Sequence, residues 1–219
     1  MSPSHTRGRI RAGALALAAA AVLFLLYPAV RPWTDETTTA GATAAMSSGA
    51  WVASHLFAMI GFVLLPLGLL ALRAAVGQTR AEPLALAATV TAWLGAGLTL
   101  PYYGAEDFGL HAVASRTAGG APLDLLDLVD AIRFGAVQVT TFGIGLVALG
   151  IAAVLAAVAI WRSGILPRHS GIAFALGFAL FLPQFYLPPA ARITHGVLVG
   201  IGCAWVALTL WRGDRTGRP

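Results

Sequence analysis

The sequence predicts an all-α, polytopic integral membrane protein: a six-transmembrane-helix bundle with both termini cytoplasmic. Three observations carry that expectation. Hydrophobic residues make up 58% of the chain and charged residues 11%, with a mean hydropathy of +0.80, where soluble domains carry about 25% charged residues. Six segments are long and apolar enough to cross a bilayer, which takes about 20 residues as a helix. All 14 basic residues are arginines, and they stand at the ends of those segments rather than on one face. That is the distribution of topology signals, not of a phosphate-binding surface, so nucleic acid is not an expected partner despite the net charge of +5. Backbone groups in lipid must be satisfied within the element, and the alternating polarity of a membrane barrel is absent, so the spans are helices.

In chain order, a basic N-terminus (1–11) with Arg7, Arg9 and Arg11 precedes a first span at about 12–30. This apolar run is longer than the roughly 7–15 residues of a signal-peptide core, so it is read as a retained helix. Segment 31–50, rich in Thr, Ala, Gly and Ser, reads as an outer loop with a short helix near Ala42–Met46. The second and third spans, about 51–72 and 84–105, are joined by a short inner connection. Segment 104–133 is outer and too long for a plain connector. It holds the breaker Gly119-Gly120, then a stretch from Pro122 to Arg133 with aspartates at 124, 127 and 130 and leucines opposite them. That pattern predicts an amphipathic interfacial helix opening at Pro122, or an extension of the fourth span. The remaining spans are about 134–161, 170–188 and 193–211, followed by a tail at 212–219.

Orientation follows from the arginines. Arg7, Arg9, Arg11, Arg73, Arg80, Arg162, Arg168, Arg212, Arg215 and Arg218 fall on one side, against Arg31, Arg116, Arg133 and Arg192 on the other. Ten against four puts the first group in the cytoplasm. Trp33 and Trp51 mark the outer interface, Trp161 and Trp211 the inner one. Gly196 and Gly200 form a GxxxG that allows close helix contact, while Pro66, Pro101 and Pro183 predict kinks. The single cysteine, Cys203, reads as a small buried hydrophobe.

The chemistry gathers around Tyr102-Tyr103-Gly104-Ala105-Glu106-Asp107-Phe108-Gly109-Leu110-His111, at the outer end of the third span. In a continuing α-helix Tyr103, Asp107 and His111 share a face at i, i+4 and i+8, with Tyr102 and Glu106 as a neighbouring pair. Trp51 and His55 open the second span, Gln138 the fourth, and His195 the sixth; Gln184, Phe185 and Tyr186 close the fifth. Inner halves are almost wholly Ala, Leu, Val and Gly. Ionisable groups in a membrane usually face a bundle interior, so His55, Tyr103, Glu106 or Asp107, Gln138, Gln184 and His195 are expected to converge on one aromatic-lined outer pocket. The plain alternatives make Glu106, Asp107 and His111 solvated loop residues, and His55 and His195 hydrogen-bonded packing groups. For the three aspartates the plain reading is a solvated face, and for Phe174, Phe178, Phe181 and Phe185 a packing stripe.

Three function classes fit. The first is an enzyme acting on an isoprenoid or lipid by proton-initiated chemistry. A carboxyl group in an apolar site can stay protonated, and aromatic faces can stabilise a carbocation. Here Glu106 or Asp107 is the expected acid, tuned by His111 or Tyr103. The substrate wall would comprise Trp51, His55, Tyr102 and Gln138, with Gln184, Phe185, Tyr186 and His195. If a diphosphate were involved, Asp124, Asp127 and Asp130 have a spacing that could hold Mg²⁺. The second class is a redox module for haem or quinone, with His55 and His195 at similar depth. The third is a non-catalytic membrane protein that binds a lipid or a partner. No metal or cofactor is expected. The expected partners are membrane lipids and a hydrophobic small molecule, the expected location is the cell membrane as a multi-pass protein, and nothing in the sequence sets an oligomeric state.

The stretch Trp51-Val-Ala-Ser-His55 and its Leu/Gly-rich continuation to Arg73 resembles the second span of a group of uncharacterised six-helix bacterial membrane proteins. In that group a Trp and a His open the helix and an acidic residue follows the third span. The size and the acidic outer motif also resemble bacterial membrane-bound sesquiterpene cyclases of the drimane-forming type. That resemblance implies protonation of a prenyl chain, while the choice of Glu106 or Asp107 as the acid rests on their position in this sequence.

Overall fold

The computed structural model describes residues 3–213, with side chains from His5 onward. Arg215, Arg218 and most of the expected tail at 212–219 lie outside these residues. Among the described residues the elements are helical, with no strand. Five helices are long and apolar enough to cross a membrane. α1 (Pro3–Val30), α3 (Gly49–Val76), α7 (Ala136–Ser163) and α9 (Pro189–Gly213) match four of the expected spans. α4 (Glu82–Gly104) matches a fifth but does not stop there. Their outward faces are apolar, with Leu94 and Ile201 more than half exposed.

The sixth expected span, 170–188, is not one continuous helix. It begins as a 3₁₀ turn (Arg168–Gly171), becomes the two-turn helix α8 (Ile172–Ala179) and ends in a second 3₁₀ turn (Pro183–Tyr186). The break has a local cause. Pro183 offers no N–H, and its ring would clash with the carbonyl four residues back, at Ala179, where α8 stops. The interrupted segment still runs the length of the bundle. Gly171 abuts Ala157 of α7, and Gly150 of α7 abuts Ala179; on its other side Gly202 of α9 meets Phe174 and Gly177 meets Val199.

With that segment included, the long elements close a ring in the order α1, α3, α4, α7, α8, α9 and back to α1, each antiparallel to its neighbours. Small residues set the close approaches. A Cβ on Gly95 of α4 would lie 2.9 Å from the carbonyl oxygen of Gly145 on α7. The expected GxxxG contact is with α1: Gly196 faces the Phe24 carbonyl and Pro28, and Gly200 the Ala21 carbonyl. Phe24, Phe62, Phe174, Phe178 and Phe181 pack edge-on and stacked at the ring's centre, the packing role expected of the phenylalanine stripe.

The expected outer loop after residue 104 is instead helical. α4 passes through a π-helical turn (Ala105–Leu110) into α5 (His111–Ala118), an uninterrupted run of 37 residues from Glu82 to Ala118. At about 1.5 Å per residue that is roughly 55 Å, well beyond a hydrocarbon core of about 30 Å. It ends at Gly119-Gly120, the predicted breaker, where Gly120 takes φ +87°. The projecting part seats a small cap of α2 (Thr39–Met46), α5 and α6 (Leu125–Phe134), closed over Met46, Trp51, Leu110, Leu125 and Val129. α6 starts after Asp124 rather than at Pro122, because the Asp124 carboxylate accepts the Asp127 N–H as an N-cap. All three aspartates face out, as a solvated face would.

Candidate functional site

Between the bundle and its cap lies a cavity of about 590 Å³, within the usual range for small-molecule sites of about 300–1,000 Å³. Its lower wall is aromatic: Tyr27 from α1, Tyr102 and Tyr103 from α4, Phe142 from α7 and Phe185. Tyr102 stacks on Phe142 at 4.0 Å and donates its hydroxyl to the Arg133 carbonyl at 3.3 Å. The Tyr103 hydroxyl is buried without a hydrogen-bond partner. His55 lines the cavity too, with Nδ1 donating to the Trp51 carbonyl at 2.8 Å, which leaves Nε2 as the acceptor nitrogen.

The upper wall is a chain of ion pairs. Arg133 grips Glu106 with two parallel bonds, Nε to Oε1 at 2.6 Å and Nη2 to Oε2 at 2.9 Å. Its Nη1 reaches Glu36 at 2.9 Å, and Glu36 in turn accepts from Arg31 at 2.6 Å. Burial opposes the charge on Arg133, but Glu106 and then Glu36 outweigh it and hold its pKa above the ordinary arginine value. The loop carrying Glu36 is ordered by Asp35, whose carboxylate is held below its usual pKa by the Thr37 hydroxyl and backbone N–H. Arg192, at the start of α9, donates to Gln184 at 3.1 Å and lies over the rings of Trp33 and Phe185.

Of the residues expected to converge, His55, Tyr102, Tyr103, Glu106, Phe185 and Tyr186 do line this cavity. Trp51 stands just behind it: fully buried, it stacks on His55 and donates Nε1–H to the Glu106 carbonyl at 2.8 Å. Gln138 is exposed and turns back to the Ala131 carbonyl. Gln184 and His195 belong to a neighbouring void of about 10 Å³, room for about one water. His195 donates Nε2–H to the Gly177 carbonyl at 2.7 Å, the packing role. His55 lines the cavity and His195 the neighbouring void, so the two imidazoles do not share one pocket.

The shared face expected of Tyr103, Asp107 and His111 does not form. The π-helical turn widens the helix between them. Glu106 enters the cavity with the tyrosines, while Asp107 turns away beneath the cap, fully buried and with neither oxygen hydrogen-bonded. His111 ties α5 to α2 through the Met46 carbonyl at 2.8 Å. Among the described residues no three His, Cys, Asp or Glu side chains come together to hold a metal ion.

Arg31, Glu36, Arg133 and Arg192, with Trp33, are the site residues that sequence reasoning did not single out. A signal was present: Arg31, Arg133 and Arg192 are three of the four arginines that stand against the positive-inside bias. Charges placed there against topology need another reason, and acidic partners supply it for Arg31 and Arg133. No family model, no curated protein and no solved structure matches this chain.

Proposed function

We propose that this is a multi-pass protein of the cell membrane that binds a hydrophobic small molecule, an isoprenoid or lipid, in the cavity under its cap. The carrying observation is an amphipathic cavity with aromatic walls, one ionic wall and an apolar rim. Phe134 and Tyr186 at that rim are 69% and 87% exposed. A rim of exposed apolar side chains is costly in water and suited to a bilayer, so the ligand enters sideways from lipid. On this reading the chain crosses the membrane six times, the interrupted segment around α8 making one crossing. Both ends then share the cytoplasmic side, and the cavity lies toward the outside.

Binding is preferred to the proton-initiated reaction expected from the sequence. Protonating an alkene requires an acid beside the substrate. The carboxyl groups in the cavity wall are Glu106 and Glu36, and both are paired as ionised carboxylates are: Arg133 grips Glu106 with two hydrogen bonds, and Glu36 is held by Arg31 and Arg133. Asp107 lies outside the cavity.

The test uses octadecanol, a neutral long-chain probe, with the full chain in neutral maltoside micelles. Bound ligand should raise the unfolding temperature in a concentration-dependent way. Val139→Trp, which fills the cavity from its wall, should abolish that rise. An unfolding temperature that neither octadecanol nor its carboxylate and phosphate counterparts raise, or that rises equally in Val139→Trp, would refute the binding role.

A further inference from the structure

The cavity's charge and its continuation into the membrane face deepen the binding role, and the ligand class they point to depends on that role. Arg31, Glu36, Arg133 and Glu106 form a balanced chain of two cations and two anions. Arg192 is left over: among the described residues no carboxylate lies within ion-pair distance of it. It is held over Trp33 at 4.8 Å, and Arg31 lies over the same ring at 4.6 Å. The Trp33 indole is itself fixed, donating to the Pro28 carbonyl at 3.0 Å. Arg31 is 8% exposed, lines the cavity and keeps a buried Nε–H with no acceptor. Two guanidinium groups thus flank one aromatic post, with one net positive charge and an unused donor between them. A wall of that kind is complementary to an anion.

At the opposite end the cavity wall includes Leu182. Leu182 also lines a second, apolar groove of about 460 Å³ on the outer face of the bundle. One side of that groove is α7, from Leu146 through Gly150 to Val154; the other is Ala179, Leu182 and Pro183. The groove exists because α8 ends at Ala179, so the ring is thinnest where a further helical turn would have filled it. From Phe142 in the cavity to Val154 at the far end of the groove, α7 advances about 18 Å at roughly 1.5 Å per residue.

We infer that the ligand is a long-chain anionic lipid, its carboxylate or phosphate head held by Arg192 and Arg31 beside Trp33. Its chain passes Leu182 into the groove between α7 and the α8 break. Each half of the arrangement accounts for one half of such a molecule, and the aromatic cavity between them holds the first part of the chain. A ligand without charge would leave the Arg192 charge without a counter-ion and the Arg31 Nε–H without an acceptor, and a short one would leave the groove to bulk lipid.

The test compares octadecanoate, octadecyl phosphate, octadecanol and decanoate on the full chain in neutral maltoside micelles, read by thermal shift and native mass spectrometry. At least one octadecyl anion should bind about tenfold or more tightly than octadecanol, and the preferred anion identifies the head group. Arg192→Gln should weaken that anion far more than the alcohol and remove most of the difference between them. Arg192→Lys, which keeps the charge, should retain part of the preference. Leu182→Trp, which blocks the passage, should erase the advantage of octadecanoate over decanoate while decanoate still binds. Octadecanol binding as tightly as both octadecyl anions, with Arg192→Gln without effect, would overturn the anionic head and leave the binding role standing. Equal binding of the two carboxylates in the unsubstituted protein would overturn the groove as a chain path. If none of the four probes binds, the binding role fails together with this inference.

Discussion

Glu106 and Asp107 are chain neighbours of the same charge type, yet a π-helical turn sends them to different environments. Glu106 is paired twice with Arg133 in the cavity wall; Asp107 is buried with no hydrogen bond among the described residues, His111 being its electrostatic neighbour. Their neutral variants should therefore behave oppositely. Glu106→Gln leaves Arg133 partly buried with one carboxylate instead of two, and should cost about 3 kcal/mol of stability, as breaking a buried pair does. Replacing Arg133 by Met in the same chain should recover part of that loss, because the stranded charge is gone. Asp107→Asn removes no hydrogen bond, only the electrostatic contact with His111, and should stay within about 1 kcal/mol of the parent. Denaturant unfolding of the three variants in micelles measures all of this; a loss at Asp107 equal to that at Glu106 would contradict the assigned environments.

Among the elements, two carry most of the specificity. The contact of α4 with α7 is set by small residues, so Gly95→Val should force the helices apart against the Gly145 backbone and Leu149 and destabilise by about 1–3 kcal/mol. Gly97, two residues on, has open space where a side chain would go, and Gly97→Val should change stability by about 0.5 kcal/mol or less. Thermal unfolding of the pair separates a packing cost from a general cost of valine in this helix. The other decisive element is the segment from Arg168 to Tyr186. Its composition is as apolar as any span, and hydropathy alone reads it as a full helix. Pro183 acting on the Ala179 carbonyl interrupts it and opens the groove beside α7.

For the whole molecule, five long helices and the interrupted α8 segment, antiparallel around a phenylalanine core, put the cap, the cavity and the ionic wall at one end of the ring. The other end carries Arg11 against Trp211 and Arg73 against Glu82. Reporter fusions after Thr43 and Gly119 should read the same side of the membrane, and a fusion after Gly164 the opposite side. A cytoplasmic signal from Gly119 would reverse the proposed orientation, and signals of opposite sign from Thr43 and Gly119 would break the cap. The same fusions decide whether the α8 segment crosses: a fusion inserted after Leu187 should report with Thr43 and not with Gly164.

Composition and periodicity were enough for part of this molecule. Apolar runs free of charge, bounded by arginine and tryptophan, settle that the chain is helical and where four of its long helices lie. A glycine pair sets the end of α5, and the Gly196/Gly200 spacing marks the face that α9 turns to α1. The tyrosines, His55 and Glu106 were legible as site residues because polar groups near lipid must face inward. The partners emerged only on folding. Glu106 meets Arg133 across 27 residues, and Glu36 meets both Arg31 and Arg133. A linear pattern carries no information on which distant charge will neutralise another, since ion pairing depends on distance in space. The π-helical turn that separates Glu106 from Asp107 had no signal either; beyond it α5 packs on α2 and α6, partners distant in sequence. For the same reason Arg192 read as a topology marker in the sequence, and only the folded ring shows it beside Trp33 with no carboxylate to pair with.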